Sequence, residues 1–406
     1  MFENGYITEE EFETSLAQVP SWTCSGPYGG RILALAASPE ATADGLILAG
    51  AESGGLYRST DGGATWRIMP DLPSDLSVSS AAFAPAFVGN KTVFASTLGS
   101  GVLKSSDGGA TWHAWSYGLG SQSVAQVACS PRFDADQTVI AATDRGLFRS
   151  ASAGKVWDAV GPPGVALSVA IAPDGKGGTV AFGGTVLGLC TSVDGGSTWA
   201  PVAGPPGPVQ TIALSPDYAA DTTLVAGTLS GAYPSVDGGK TWGAPWLGDR
   251  ATYAALFSPD YAQDKTILLG TDTGVYVSTD GGSNWGRSVG LTETVLALAA
   301  APGSPEQRIF LAGSGDGGVY ASSDGGATWT SSTTGITGLA MTAVASSPAY
   351  TKDRTVYAGG ESGVWRSADD GQTWEPTPLN DARVKAVKCA TDYATSGAAY
   401  AATAGG

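Results

Sequence analysis

Histidine is all but missing from this 406-residue chain, with His113 the only one. Four cysteines, Cys24, Cys129, Cys190 and Cys389, stand far apart with no CxxC pair. These two scarcities argue against a Cys/His zinc site and leave a nucleophile–histidine pair only His113 to draw on. His113 directly follows a repeated tryptophan and reads as a strand position. Basic residues are few: 21 Lys+Arg face 37 Asp+Glu, for a formal charge of -16. A nucleic-acid partner needs a basic footprint, and an anionic membrane surface needs the same, so neither is expected. No apolar run reaches 18 residues, which argues against a membrane-crossing helix. The opening MFENGYITEEEFETSLAQVP is acidic and polar, so no secretory signal is expected in the chain as it stands. The expected location is therefore the cytoplasm, with no metal or cofactor.

Glycine and the aromatics are abundant. Gly accounts for 59 residues, about twice ordinary usage. Twelve Trp, 14 Tyr and 10 Phe are too many large apolar groups for a disordered chain. The tryptophans count a repeat. STDGGATW at 59–66 recurs as SSDGGATW (105–112), SVDGGSTW (192–199), SVDGGKTW (235–242), STDGGSNW (278–285), SSDGGATW (322–329) and SADDGQTW (367–374). SASAGKVW at 150–157 is a copy that has lost its Asp to Ser152. A Gly-apolar-aromatic segment precedes each copy, and the Gly-to-Trp interval is 11 residues in all eight. The Trp spacing is 42 to 46 residues. Each period holds four short apolar runs broken by Gly, Pro, Asp and Asn, which reads as four strands and their turns. No segment carries a sustained helical period, so helical solenoids are excluded.

A four-stranded sheet recurring every 44 or so residues is a propeller blade. The expected fold is all-β, a single β-propeller domain over 1–406 with about nine blades. Trp22 lies one period before Trp66, and GYIT at 5–8 resembles a third strand. The stretch 383–402 reads as the first two strands of a repeat. Residues 1–24 and 383–406 are therefore expected to share a closing ninth blade, removing the open sheet edges. Eight blades with a stray half repeat is the alternative. Cys24 and Cys389 would then lie on outermost and innermost strands, about three spacings of ~4.8 Å apart. That is too far for a disulfide. Four free thiols suit a reducing compartment.

The Ser-x-Asp-x-Gly-x-Thr-Trp pattern, as in Ser59, Asp61, Gly63, Thr65 and Trp66, resembles the Asp-box, or BNR repeat, over nearly the whole chain. The resemblance implies a propeller with the box at the hairpin between third and fourth strands. It is shared with sialidases, xyloglucan hydrolases, sortilin-type receptors and photosystem II assembly factors. Simple turn chemistry fits that placement. Asp clamps backbone N–H groups, Gly supplies positive φ, and Trp buries about 150–250 Å² between sheets. Asp61, Asp107, Asp194, Asp237, Asp280, Asp324 and Asp369 are accordingly read as structural rather than as metal or catalytic carboxylates.

In propellers the ligand-bearing face is built from the turns joining strand two to three and strand four to the next blade. The first set offers Glu52, Asp144, Arg145, Asp272, Asp316 and Glu361; the second offers Arg31, Arg250 and Arg383. These are the candidate binding residues, expected around the mouth of the channel. Nine periods leave roughly ten residues for insertions, too few for the long loops that enclose a substrate. The sialidase resemblance would need an arginine cluster; Arg31, Arg250 and Arg383 imitate one, but no Arg-Ile-Pro segment accompanies them. LAGAESGGLYRS at 48–59 is similar to the stretch holding the catalytic base of xyloglucan hydrolases, with Glu52 at the Asp position. That family brings the partner acid from a second propeller, and one carboxylate cannot serve both roles at a glycosidic bond. No catalytic residue is therefore assigned. The expected function is a non-catalytic binding scaffold for a protein partner, with a basic partner favoured by the charge. Glycoside hydrolysis, with a carbohydrate ligand, is the alternative.

Overall fold

The computed structural model describes residues 29–403 except 86, 302–307, 335–340, 361–362, 370, 372, 380–382 and 391–392. Nine antiparallel sheets follow one another along the chain, and the architecture is a β-propeller. Their first strands are Ile32–Ala37, Val78–Phe83, Val124–Cys129, Ala166–Pro173, Val209–Leu214, Thr252–Phe257, Val295–Ala301, Met341–Ser346 and Val384–Cys389. Seven sheets have four strands in sequential order. Sheet five has three: Pro234 stands where Arg58 pairs with Arg67 in sheet one, and has no N–H to give a fourth strand. Sheet nine shows two strands, Val384–Cys389 and Ala399–Thr403, the pair expected from 383–402. The partner strands expected from 1–24, with Cys24 and Trp22, lie outside the described residues.

Neighbouring sheets meet by one recurring contact. A small residue in the second strand of each sheet faces the first residue of the next sheet's first strand. A Cβ on Gly50 would fall 2.7 Å from the Val78 side chain, and Gly184, Gly270 and Gly359 face Val209, Val295 and Val384 in the same way. Only glycine allows backbones this close. At sheet seven the same glycine, Gly313, faces Ile32 of sheet one. The first strands of sheets seven and one lie side by side, and Gly30 bridges Gly317. Trp66 seals this seam, its amide donating to the Thr334 carbonyl at 2.9 Å and its indole N–H to the Ser332 carbonyl at 2.8 Å. Seven of the nine sheets thus close on themselves, and the first strand of sheet eight packs instead against that of sheet nine.

Seven sheets carry a four-residue helix between first and second strands, as in Phe133–Asp136, Tyr218–Asp221 and Tyr261–Asp264. In five of them the helix ends in an Asp that takes the hydroxyl of the preceding Ser-Pro serine, as where Ser130 donates to Asp136 at 2.7 Å and Ser215 to Asp221 at 2.6 Å. The next residue turns left-handed, and its carbonyl accepts an N–H from the tryptophan hairpin of its own sheet. Gly45 accepts from Gly62 and Thr222 from Gly238, both at 3.0 Å. Sheet four has a turn at 174–178 instead, and Arg149 of sheet three donates to the Gly195 carbonyl of its hairpin at 2.8 Å.

Cys129, Cys190 and Cys389 are free thiols on first, third and first strands, as expected. Burial pushes Cys129 up to about 12 and Cys190 up to about 11, so neither is a nucleophile.

Candidate functional site

The seven hairpin aspartates close their own turns. In the first copy Asp61 accepts the Ser59 hydroxyl (2.7 Å), the Thr65 amide (2.9 Å) and the Thr65 hydroxyl (2.5 Å), while Ser59 accepts the Gly63 amide. Gly62 and Gly63 hold φ of 74° and 91°. The pattern repeats at Asp107, Asp194, Asp237, Asp280, Asp324 and Asp369. At Asp107 and Asp194 burial, the largest influence, raises the carboxyl, but the Thr, Ser and amide donors outweigh it and hold it at about 2. The Thr241 hydroxyl and amide hold Asp237 at about 2, and the Asn284 amide and side chain do the same at Asp280. In the third copy Ser152 keeps only the contact to the Val156 amide and to Ser150.

Strand direction puts the second-to-third turns and the connections between sheets at one end of the ring, the upper face, and the helices and hairpins at the other. Ring closure gathers several candidates at the seam of sheets seven and one. Arg31 pairs with Glu52 at 3.3 Å, and the Gly30–Gly317 bridge sets both beside the turn holding Asp316. Glu293, not singled out in the sequence, joins them by accepting the Gly317 amide (3.0 Å) and the Tyr320 hydroxyl (3.3 Å). Burial and the Glu293 charge push the Tyr320 phenol well above its ordinary range. Glu293 occupies the same connection before a first strand as Arg31, where its residue type alone carries no signal.

The other candidates are spread out. Asp144 takes the Ser121 hydroxyl at 2.5 Å, and Arg145 donates its amide to Thr143 in the same turn. Arg250 lies 3.6 Å from its neighbour Asp249, and the Asp272 amide donates to Ala251. Arg383 immediately precedes the first strand of sheet nine, beyond the seven-sheet ring, and Glu361 lies outside the described residues.

Beneath these turns the channel encloses about 290 Å³ and is lined by all seven first strands of the ring. Its walls are Leu33, Leu35, Ser79, Gln126, Gln210, Tyr253 and Leu298 with their neighbours, and no carboxylate is among them. Among the described residues no group of three or more His, Cys, Asp or Glu stands close enough to hold a metal ion. No helix there is long and apolar enough to cross a membrane.

No family model matches the chain, and no curated protein matches it. Solved structures do. An ancestral GH74 enzyme aligns with a TM-score of 0.71 over 92% of this chain and 58% of its own, at 19% identity. The chain thus spans a little over half the length of that relative. The GH74 xyloglucanase from Xanthomonas campestris aligns at 0.62 over 92% of this chain and 71% of its own, at 17% identity. YCF48 bound to D1 peptide aligns at 0.53, 17% identity, over 92% of its own chain and 73% of this one. At these identities the likeness is one of fold: this chain is built as those propellers are.

Proposed function

We propose that the ring is a non-catalytic binding scaffold of the Asp-box kind that presents its upper face to a polypeptide partner. The observation that carries this reading is the upper face itself. It is an open surface of short turns whose tips expose large apolar side chains, Leu98 at 45%, Leu187 at 87% and Leu229 at 53%. Leu187 stands with the exposed Val165 and Val186, which are hydrogen-bonded to each other, and contiguous apolar surface of this kind marks contact sites. The carboxylates between them are held by local partners: Glu52 by Arg31, Asp144 by Ser121 and Glu293 by Gly317 and Tyr320. The YCF48 structure with a bound peptide supports a propeller in this role. Buried free thiols support a reducing, cytoplasmic setting.

The second reading is glycoside hydrolysis. The GH74 likeness and the gathering of Glu52, Glu293 and Asp316 at one seam favour it. One assay separates the two. Purified protein is incubated with xyloglucan, mixed-linkage β-glucan and sialosides, and reducing ends or free sialic acid are measured. The scaffold reading expects none above background; turnover that disappears in Glu52→Gln overturns it.

A further inference from the structure

The upper face is divided by charge. Between Asp158 and Asp249 the chain builds sheets four and five, and none of its charged residues reaches the upper face. Four of them sit in the first-to-second-strand turns below (Asp174, Lys176, Asp217, Asp221) and three in the hairpins (Asp194, Asp237, Lys240). In a chain of net charge -16, a charge-free sector spanning two adjacent sheets is conspicuous. It is also apolar and stiff. Val186 donates its amide to the Val165 carbonyl at 3.1 Å, so these exposed valines stand together, with Leu187 and Leu229 on the turns beside them. The connection entering each of the two sheets carries the same Gly-Pro-Pro-Gly segment, at 161–164 and 204–207. Paired prolines fix φ, so little order remains to be lost on binding. Onward around the ring the turns carry charge and are net acidic: Asp249, Asp272, Glu293, Asp316 and Glu52 outnumber Arg250, Arg287, which donates to the Thr273 carbonyl, and Arg31, which pairs with Glu52.

We infer that the upper surface of sheets four and five is the docking sector for a polypeptide segment with large apolar anchors flanked by Lys or Arg. The anchors lie on Val165, Val186, Leu187 and Leu229, and the basic residues lie toward the net-acidic turns from Asp272 to Glu293 and Asp316. An acidic partner segment is excluded by repulsion from that side, while an uncharged one forgoes the attraction. The inference rests on the scaffold reading and adds to it the place and the partner chemistry.

Selection from a random 12-residue peptide library on the intact protein tests it, with the best peptide then synthesised and titrated. Wild type selects peptides with apolar residues next to Lys or Arg. Binding of the synthesised peptide falls at least tenfold in Leu187→Asp/Leu229→Asp. It falls several-fold in Asp272→Lys, with a flatter salt dependence. All three side chains are exposed, and a thermal melt confirms that the variants fold; Leu187→Asp alone serves if the pair does not. Selected peptides that bind wild type and Leu187→Asp/Leu229→Asp equally overturn the sector but leave the scaffold reading standing. No peptide above background also overturns the sector, and polysaccharide turnover lost in Glu52→Gln removes the scaffold reading with it. A dimer in sedimentation that Leu187→Asp dissociates assigns the sector to a second copy of this chain and overturns the proposed partner.

Discussion

Nearly half of the 26 aspartates close backbone turns, and that accounts for part of the chain's acidity. Seven aspartates close hairpins, and five more, Asp44, Asp136, Asp221, Asp264 and Asp353, close the helix turns by taking a serine hydroxyl. The second set is readable as Ser-Pro-x-aromatic-x-x-Asp in several repeats, but its role appears only when the serine and the Asp six residues on are seen bonded. Several of the hairpin aspartates titrate with the fold. Folded Asp107, Asp194, Asp237 and Asp280 sit at about 2 against ~3.9 for an unfolded aspartate. Carboxyls depressed in the folded state contribute stability that is fully present above the unfolded pKa and lost as pH falls through the folded one. The melting temperature should therefore hold down to about pH 4.5 and fall steeply between 4 and 2. Asp107→Asn should blunt that slope in a pH series of thermal melts, and an unchanged slope would count against the clamps. Arg308 tests a different kind of contact. It is 5% exposed and reaches Ser258 (2.7 Å), Asp264 (2.8 Å) and Asp260, tying sheet seven to the helix turn of sheet six. Arg308→Met leaves Asp264 without its cation and should cost about 2–4 kcal/mol in denaturant unfolding, Asp260 being partly solvated.

At the scale of the element, the tryptophans made the sheets countable because each hairpin carries one at the same place, and five of the eight spend it on the same contact. Trp112, Trp199, Trp285, Trp329 and Trp374 all donate their indole N–H to the glycine carbonyl three residues back, at 3.0–3.2 Å. Where the ring closes was not legible. Every junction uses a small residue against the first residue of the next sheet, so sheet seven is as competent to receive sheet one as sheet eight. Curvature summed over the ring decides, and no single residue records it. The candidate site shares that fate: Glu52, Arg31 and Asp316 were named from their turns, but their meeting with Glu293 depends on a closure the repeats leave open. The junction itself is testable. Gly313 has ordinary φ, so a side chain there is penalised by space alone, with Ile32 only 2.6 Å from where a Cβ would fall. Gly313→Val should destabilise the ring by about 1–3 kcal/mol or more through overpacking. Gly325→Val, at the hairpin tip with nothing within 4 Å, meets only the strain of its φ of 78°. Urea midpoints that rank the two the other way would argue against closure at sheets seven and one.

For the whole molecule, the same contact that closes the ring leaves sheets eight and nine, among the described residues, each packed on one side only. Val344 in the first strand of sheet eight is 72% exposed, while its counterparts Val127 and Ile212 in the ring are buried. Tyr400 in sheet nine is 66% exposed where Leu48, Ile140, Val225 and Leu268 are buried. A propeller sheet is stabilised from both sides, so a pair that covers only its shared side lacks about half the burial each ring sheet has. The ring, by contrast, has every junction filled between Gly29 and Thr334. Two consequences follow for a melt of the full chain. Sheets eight and nine should open first, in a separate low-temperature transition, because repeat stability is the sum of each sheet and its neighbours' contacts. A chain ending at residue 340 should lose that transition and keep the main one within a few degrees. Removal of residues 1–24 should likewise leave the main transition in place, since the seam is made by Ile32, Trp66, Gly313 and Ser332. Calorimetry of the three chains decides it. A single transition in the full chain that shifts down by ten degrees or more in either shortened form would mean that the nine sheets melt as one unit, with the terminal segments part of its closure.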